Sequence, residues 1–123
     1  MGLDEARDPR MLREVEALCA RAHEPDWVSG SCLLARRSLL ERLSGFDERF
    51  FLYEEDADLC RRARRAGARV AFTPAARVVH RLGRSMGASG GQATLAYDRS
   101  HRLYYQKHAG LLSRVALALW LSA

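Results

Sequence analysis

The chain has 123 residues, 48% hydrophobic and 28% charged, a balance that argues against wholesale disorder and fits one small domain or part of a larger one. Its formal net charge of +5, carried almost wholly by arginine, points to anionic partners: phosphorylated substrates, nucleic acid or an anionic membrane surface. Cys19, Cys32 and Cys60 are odd in number and lack CxxC spacing, so they read as reduced, mostly buried thiols and exclude a disulfide frame or zinc site.

Residues 1–10 are charged and polar, unlike a signal peptide. Over 8–22, Met11, Leu12, Val15, Leu18 and Cys19 recur at helical spacing and predict an amphipathic helix that Pro25 ends. The apolar run "WVSGSCLLARR" predicts a buried strand leading into a helix. Ser38 is its expected N-cap, with Glu41 as the capping-box partner and Gly45 as the left-handed terminator.

After "FDERFFLY", a second helix places Glu54, Glu55, Asp56 and Asp58 first and its arginines last, the order that the helix dipole favours. Gly67 is its expected C′ residue. Ala57, Leu59, Cys60, Ala63 and Ala66 form its apolar edge, leaving Arg61, Arg62, Arg64 and Arg65 largely solvated. "RVAFTP" and "ARVVH" predict two short strands split by Pro74, and "RLGRSMGASGGQ" a loop. Residues 93–108 predict a helix, and "LLSRVALALWLSA" a last hydrophobic helix too short to span a bilayer. No Gly-rich phosphate loop follows a strand in the first half.

Three places carry chemistry. Asp56, flanked by Glu54, Glu55 and Asp58 and preceded by aromatics, is placed to accept a proton from a bound hydroxyl; the competing reading is that these acids only cap and charge a helix start. His80 ends an apolar run before the glycine loop, where an imidazole either ligates a divalent metal or is purely structural. Arg84 and the amides of "GRSMG" either bind phosphate or form a solvated basic loop.

Trp27 and Gly30, the pair Arg36–Arg37, "GFDERFF", "EED", "DLCRR", Gly67, Pro74, His80, Gly83 and Ser85 form an ordered series over residues 26–87. That series resembles the acceptor-side half of family 2 glycosyltransferases, in particular the rhamnosyltransferase-like branch that builds bacterial cell-surface polysaccharide. The resemblance implies a partial GT-A-like α/β domain: a short mixed sheet with flanking helices and a helical C-terminus. It divides the chain into an N-terminal helix and linker at 1–25, the transferase segment at 26–92 and a helical segment at 93–123. The implied reaction passes a sugar, with inversion, from a nucleotide diphosphate sugar to an acceptor hydroxyl on a glycan or lipid-linked carrier.

By the same resemblance Asp56 is the general base and Glu55 shapes its site or holds the acceptor. Trp27 and Gly30 form the acceptor wall, and Arg84 and Ser85 lie over the donor diphosphate. His80 completes a magnesium or manganese site whose other ligands lie outside the chain. The donor half and its Asp-x-Asp motif have no counterpart in the 26 residues before Trp27, so the chain resembles a C-terminal portion, inactive alone. A non-catalytic acceptor-binding or assembly module derived from such an enzyme is the alternative. The expected location is cytoplasmic, with peripheral contact at the inner membrane face through the C-terminal run. Packing of that run on its own core or on a second copy in a homodimer is equally open. Nucleic acid is not an expected partner, because no aromatic–basic stacking pattern accompanies the arginines.

Overall fold

The computed structural model describes residues 8–80, 90–110 and 113. Among the described residues the named elements are, in order, α1 (Pro9–Cys19), a 3-10 turn at Gly30–Cys32, α2 (Arg37–Leu43), α3 (Glu55–Arg65) and α4 (Gly90–His108). Asp8 caps α1 by accepting the Arg10 N–H at 2.8 Å, and Pro9 fills the first position, where its missing N–H costs nothing. The apolar stripe of α1 is as the spacing predicts, yet Met11, Leu12, Val15 and Leu18 all remain exposed among the described residues.

The expected sheet does not appear among the described residues. The segments around Trp27–Leu34 and Arg69–His80 run extended or irregular, and Leu34 is fully exposed. One antiparallel bridge remains, His23 with Phe72, closed by hydrogen bonds of 3.2 and 2.8 Å and a ring contact at 5.1 Å. A strand holds only through its neighbours, and these β-type runs find a single partner residue between them. The thiols also depart from expectation: Cys60 is buried, but Cys19 and Cys32 are exposed.

The capping box is not formed either. Helix α2 begins at Arg37, one residue before Ser38, and Glu41 is taken by the Arg37 guanidinium at 2.7 Å, so its carboxylate does not reach back to a cap. The C-terminal end is nearer to expectation: Ser44 and Gly45 both adopt left-handed φ, and the Gly45 N–H bonds the Leu40 carbonyl at 2.8 Å.

Helix α3 is the centre of the core. Leu59, Cys60 and Ala63 are buried with Phe50 and Val70. Its acids lie in the first turn and its arginines in the last, and Gly67 follows the C-cap at φ +80°. Space does not restrict Gly67, since nothing lies within 4 Å of an added Cβ. Its backbone does, so Gly67→Ala should cost about 1 kcal/mol in urea denaturation, and an unchanged midpoint would contradict this.

One expectation for α3 is corrected. Arg62 is not solvated: its side chain is 17% exposed and its donors are spent inside the protein. Nε bonds Asp58 at 2.7 Å, Nη1 the Leu43 carbonyl at 2.8 Å and Nη2 the Gly45 carbonyl at 2.8 Å. A guanidinium at the C-terminal end of α2 satisfies carbonyls that have no partner within that helix, and so pins α2 to α3.

Candidate acceptor site at the start of α3

The chain enters α3 through two consecutive left-handed residues, Tyr53 and Glu54, each at φ +67°. Such conformations cost free energy in non-glycine residues and persist only where surroundings hold them. Those surroundings come from α4. Ser100, almost wholly buried, donates to the Leu52 carbonyl at 2.7 Å, His101 Nδ1 meets Glu54 Oε1 at 2.8 Å, and Tyr97 packs edge-on against Tyr53.

The turn sets Glu55 and Asp56 in the first turn of α3. Asp56 Oδ2 accepts the Gly30 N–H at 2.8 Å, and Oδ1 accepts the Ala57 N–H at 2.8 Å. Two backbone donors therefore fix the carboxylate, and each oxygen keeps acceptor capacity for a further proton or hydroxyl. The structure thus brings together Asp56 and Gly30, 26 positions apart in the chain. Gly30 contributes its N–H rather than an absence of bulk, because an added Cβ would meet the nearest Asp56 atom at 3.5 Å, an ordinary contact. Glu55 Oε2 is buried and has no hydrogen-bond partner among the described residues, an acceptor whose capacity is unused.

Trp27 is 52% exposed and lines an open cleft of about 560 Å³ beside α3, with Ala57, Arg61 and Tyr104. His80 is exposed at the end of an irregular segment. No group of three or more His, Cys, Asp or Glu able to hold a metal ion occurs among the described residues, so they do not by themselves fit a bound cation at His80. Arg84, Ser85 and the hydrophobic C-terminal run lie outside the described residues.

Sequence reading missed the groups that hold the site in place. Asp58 is fully buried, and its carboxylate takes Arg62 Nε, Lys107 Nζ and His108 Nε2, each at 2.7 Å. Lys107 also reaches Asp47 at 2.7 Å, and Asp47 in turn holds Arg49 through two bonds of 2.9 and 2.6 Å. The acids of "GFDERFF" and "EEDAD" thus include three that hold α4: Asp47, Glu54 and Asp58. The i, i+4 spacing of Asp58 and Arg62 was the available signal, whereas His108 lies 50 positions away.

The electrostatics of this network set a direction for pH dependence. Burial alone would raise the Asp58 carboxyl, but hydrogen bonds from Lys107, Arg62 and His108 outweigh it and hold the group below its ordinary 3.8. His108 is pushed below its ordinary 6.5, chiefly by burial, with Arg61 and Lys107 nearby adding to the effect against the pull of Asp58. A neutral ring fits its contacts, with Nε2–H donating to Asp58 and Nδ1 facing the Arg65 guanidinium at 3.4 Å.

As pH falls below 6.5, the unfolded chain takes up a proton that folded His108 refuses, so stability declines. The Asp58 contribution, present above 3.8, is lost in turn as pH falls through its lower folded value. Thermal melts should therefore show Tm falling on acidification from about pH 7.5 to 5.5, and a rising Tm would contradict the neutral His108.

Comparison with known proteins agrees with the order of motifs. A family model described as "Glycosyltransferase like family 2" matches residues 11–97. An N-acetylglucosaminyl-diphospho-decaprenol L-rhamnosyltransferase of Mycobacterium tuberculosis is 40% identical over 85 residues, which is 68% of this chain and 28% of that protein. The rhamnosyltransferase WbbL of Escherichia coli K12 is 46% identical over 55 residues, 45% of this chain and 21% of that protein. The O-antigen biosynthesis protein RfbC of Myxococcus xanthus is 40% identical over 53 residues, 43% of this chain and 4% of that protein. The chain spans no more than 28% of the length of these curated relatives. No solved structure matches it.

Proposed function

The chain belongs to the glycosyltransferase-like family 2, and from that membership we propose that it forms the acceptor-side part of an inverting GT-A sugar transferase with Asp56 as general base. The observation that carries this reading is the Asp56 carboxylate, held by the Gly30 and Ala57 N–H groups beside the cleft that Trp27 lines. The acceptor hydroxyl oxygen attacks the anomeric carbon of a nucleotide diphosphate sugar. As that bond forms, the bond from the anomeric carbon to the diphosphate oxygen breaks, and the hydroxyl proton passes to Asp56. A base fixed by two amides loses little freedom on meeting its substrate, which is how positioning lowers a barrier.

Glu55, whose buried Oε2 has no partner among the described residues, is assigned to shape the site or help to hold the acceptor. Trp27 offers an aromatic face to a sugar ring. Arg84 and Ser85 are assigned to the donor diphosphate. His80 is assigned as one ligand of a magnesium or manganese ion whose other ligands belong to residues outside this chain; such an ion would offset charge on the leaving diphosphate. The acceptor class is a glycan on a lipid diphosphate, as the name of the mycobacterial relative suggests. No helix among the described residues is long and apolar enough to cross a membrane.

The alternative reading is a non-catalytic acceptor-binding or assembly module derived from such an enzyme. Reconstitution separates the two. Mixed with a family 2 donor half, the chain should restore transfer of labelled sugar from a nucleotide diphosphate donor to a prenyl-diphosphate-linked acceptor. Acceptor binding without any transfer would favour the module.

A further inference from the structure

The exposed side of α3 carries guanidinium groups that the folded protein does not consume. Arg62 is spent within the core and Arg64 is paired with Asp26, whose side chain is 85% exposed. Arg61 and Arg65 have no carboxylate within ion-pair distance among the described residues. Arg61 rests over the Tyr104 ring at 5.8 Å, with Nη1 3.4 Å from its hydroxyl and Nη2 3.2 Å from the His108 carbonyl. Among the described residues Arg65 meets the His108 ring nitrogen, at 3.4 Å. All of these partners are neutral, so both charges remain to be balanced.

Arg61, Arg64 and Arg65 line the same cleft as Trp27, Tyr104, Asp26 and Ala57, the residue after Asp56. Three guanidiniums against one carboxylate leave this cleft with two positive charges in excess. The Tyr104 ring and hydroxyl hold the Arg61 fork in place, and the half-exposed Trp27 lines the same cleft. Its volume of about 560 Å³ accommodates a phosphorylated sugar.

We propose that this cleft binds a diphosphate diester through Arg61, Arg65 and Arg64, against Trp27 and Tyr104. A diphosphate diester carries two negative charges, the complement of the excess, and its oxygens suit guanidinium forks. The ligand's identity rests on reading the chain as an acceptor-side transferase segment, in which the next residue after Asp56 already lines the cleft. A diphosphate held here would tether a sugar near the base while the rest of its carrier leaves the cleft. Two sources share this chemistry: the lipid-linked acceptor, and the nucleotide sugar donor, whose binding here would replace the assignment of its diphosphate to Arg84 and Ser85.

Calorimetry on the whole 123-residue chain tests the proposal without turnover, so its outcome is independent of whether Asp56 is the base. The probes are citronellyl-diphospho-N-acetylglucosamine for the acceptor source and UDP-N-acetylglucosamine for the donor source, with methyl N-acetylglucosaminide as the neutral control. At least one diester should bind, more weakly as salt rises, and the tighter of the two identifies the source. The double variant Arg61→Gln/Arg65→Gln should weaken that binding by about tenfold or more, while binding of the neutral glycoside stays unchanged. Arg61→Lys/Arg65→Lys keeps the charge but loses the forks, and should fall between the two and keep the salt dependence. Circular dichroism checks that each variant folds. If the glutamine variant does not fold, the lysine variant and the wild-type salt response decide. Failure of both diesters to bind, equal affinity in wild type and variants, or binding indifferent to salt would overturn the proposal.

Discussion

Replacing Asp58 with alanine is expected to destabilise the fold by about 3–5 kcal/mol, because it removes one partner from a buried ionic cluster and strands the others. The Asp58 side chain has no solvent exposure, and Arg62, Lys107 and His108 all converge on it at 2.7 Å. Without the carboxylate, Lys107 keeps Asp47, but Arg62 and His108 lose the acceptor that links α3 to the end of α4. The loss should spread, since α4 also holds the strained turn before α3 through Ser100 and His101. Urea denaturation followed by circular dichroism measures the effect. Asp58→Asn, which keeps the shape and one acceptor oxygen, should cost less than alanine. A change below about 1 kcal/mol for the alanine variant would show that the cluster contributes little to stability.

This cluster also marks where sequence reading stops. From Asp47, Glu54, Glu55, Asp56 and Asp58 alone, nothing says which carboxylate faces water. The helix settles it: Asp58 turns inward with Leu59, while Asp56 turns toward Gly30. Patterns internal to one segment were legible, such as the charge order of α3, the left-handed Gly67 and the helices at 9–19 and 90–108. The sheet was not: "RVAFTP" and "WVSGSCLL" have strand-like composition, but among the described residues only Phe72 of the first forms a bridge, with His23. The Ser38 capping box failed for a local reason: Arg37 lies one turn from Glu41 and captures it. Within the site, the resemblance named both Asp56 and Gly30 as candidates, but nothing in the sequence paired them across 26 positions. The supporting Lys107 and His108 lie in a helix whose pattern singled out neither of them.

The second large effect concerns chemistry. Asp56→Asn is nearly isosteric, and its amide oxygen can still accept the Gly30 N–H that the carboxylate accepts at 2.8 Å. The turn, the cleft and α3 should therefore persist. What is lost is the ability to take a proton from the attacking hydroxyl, and general-base catalysis of that kind is worth about 10²–10⁴-fold in rate. Substrate affinities should change little, because Trp27 and Glu55 remain in the proposed scheme. Asp58→Asn, by contrast, should lower stability while leaving the rate per folded molecule nearly intact. The two carboxylates, two positions apart on one helix, are thus separable by experiment.

The most direct measurement is the single-turnover rate of sugar transfer by an intact enzyme containing this segment, comparing wild type with Asp56→Asn at saturating donor and acceptor. A fall of about 10²–10⁴-fold with donor binding unchanged is the predicted result. Transfer at the wild-type rate would contradict the assignment of Asp56 as the base.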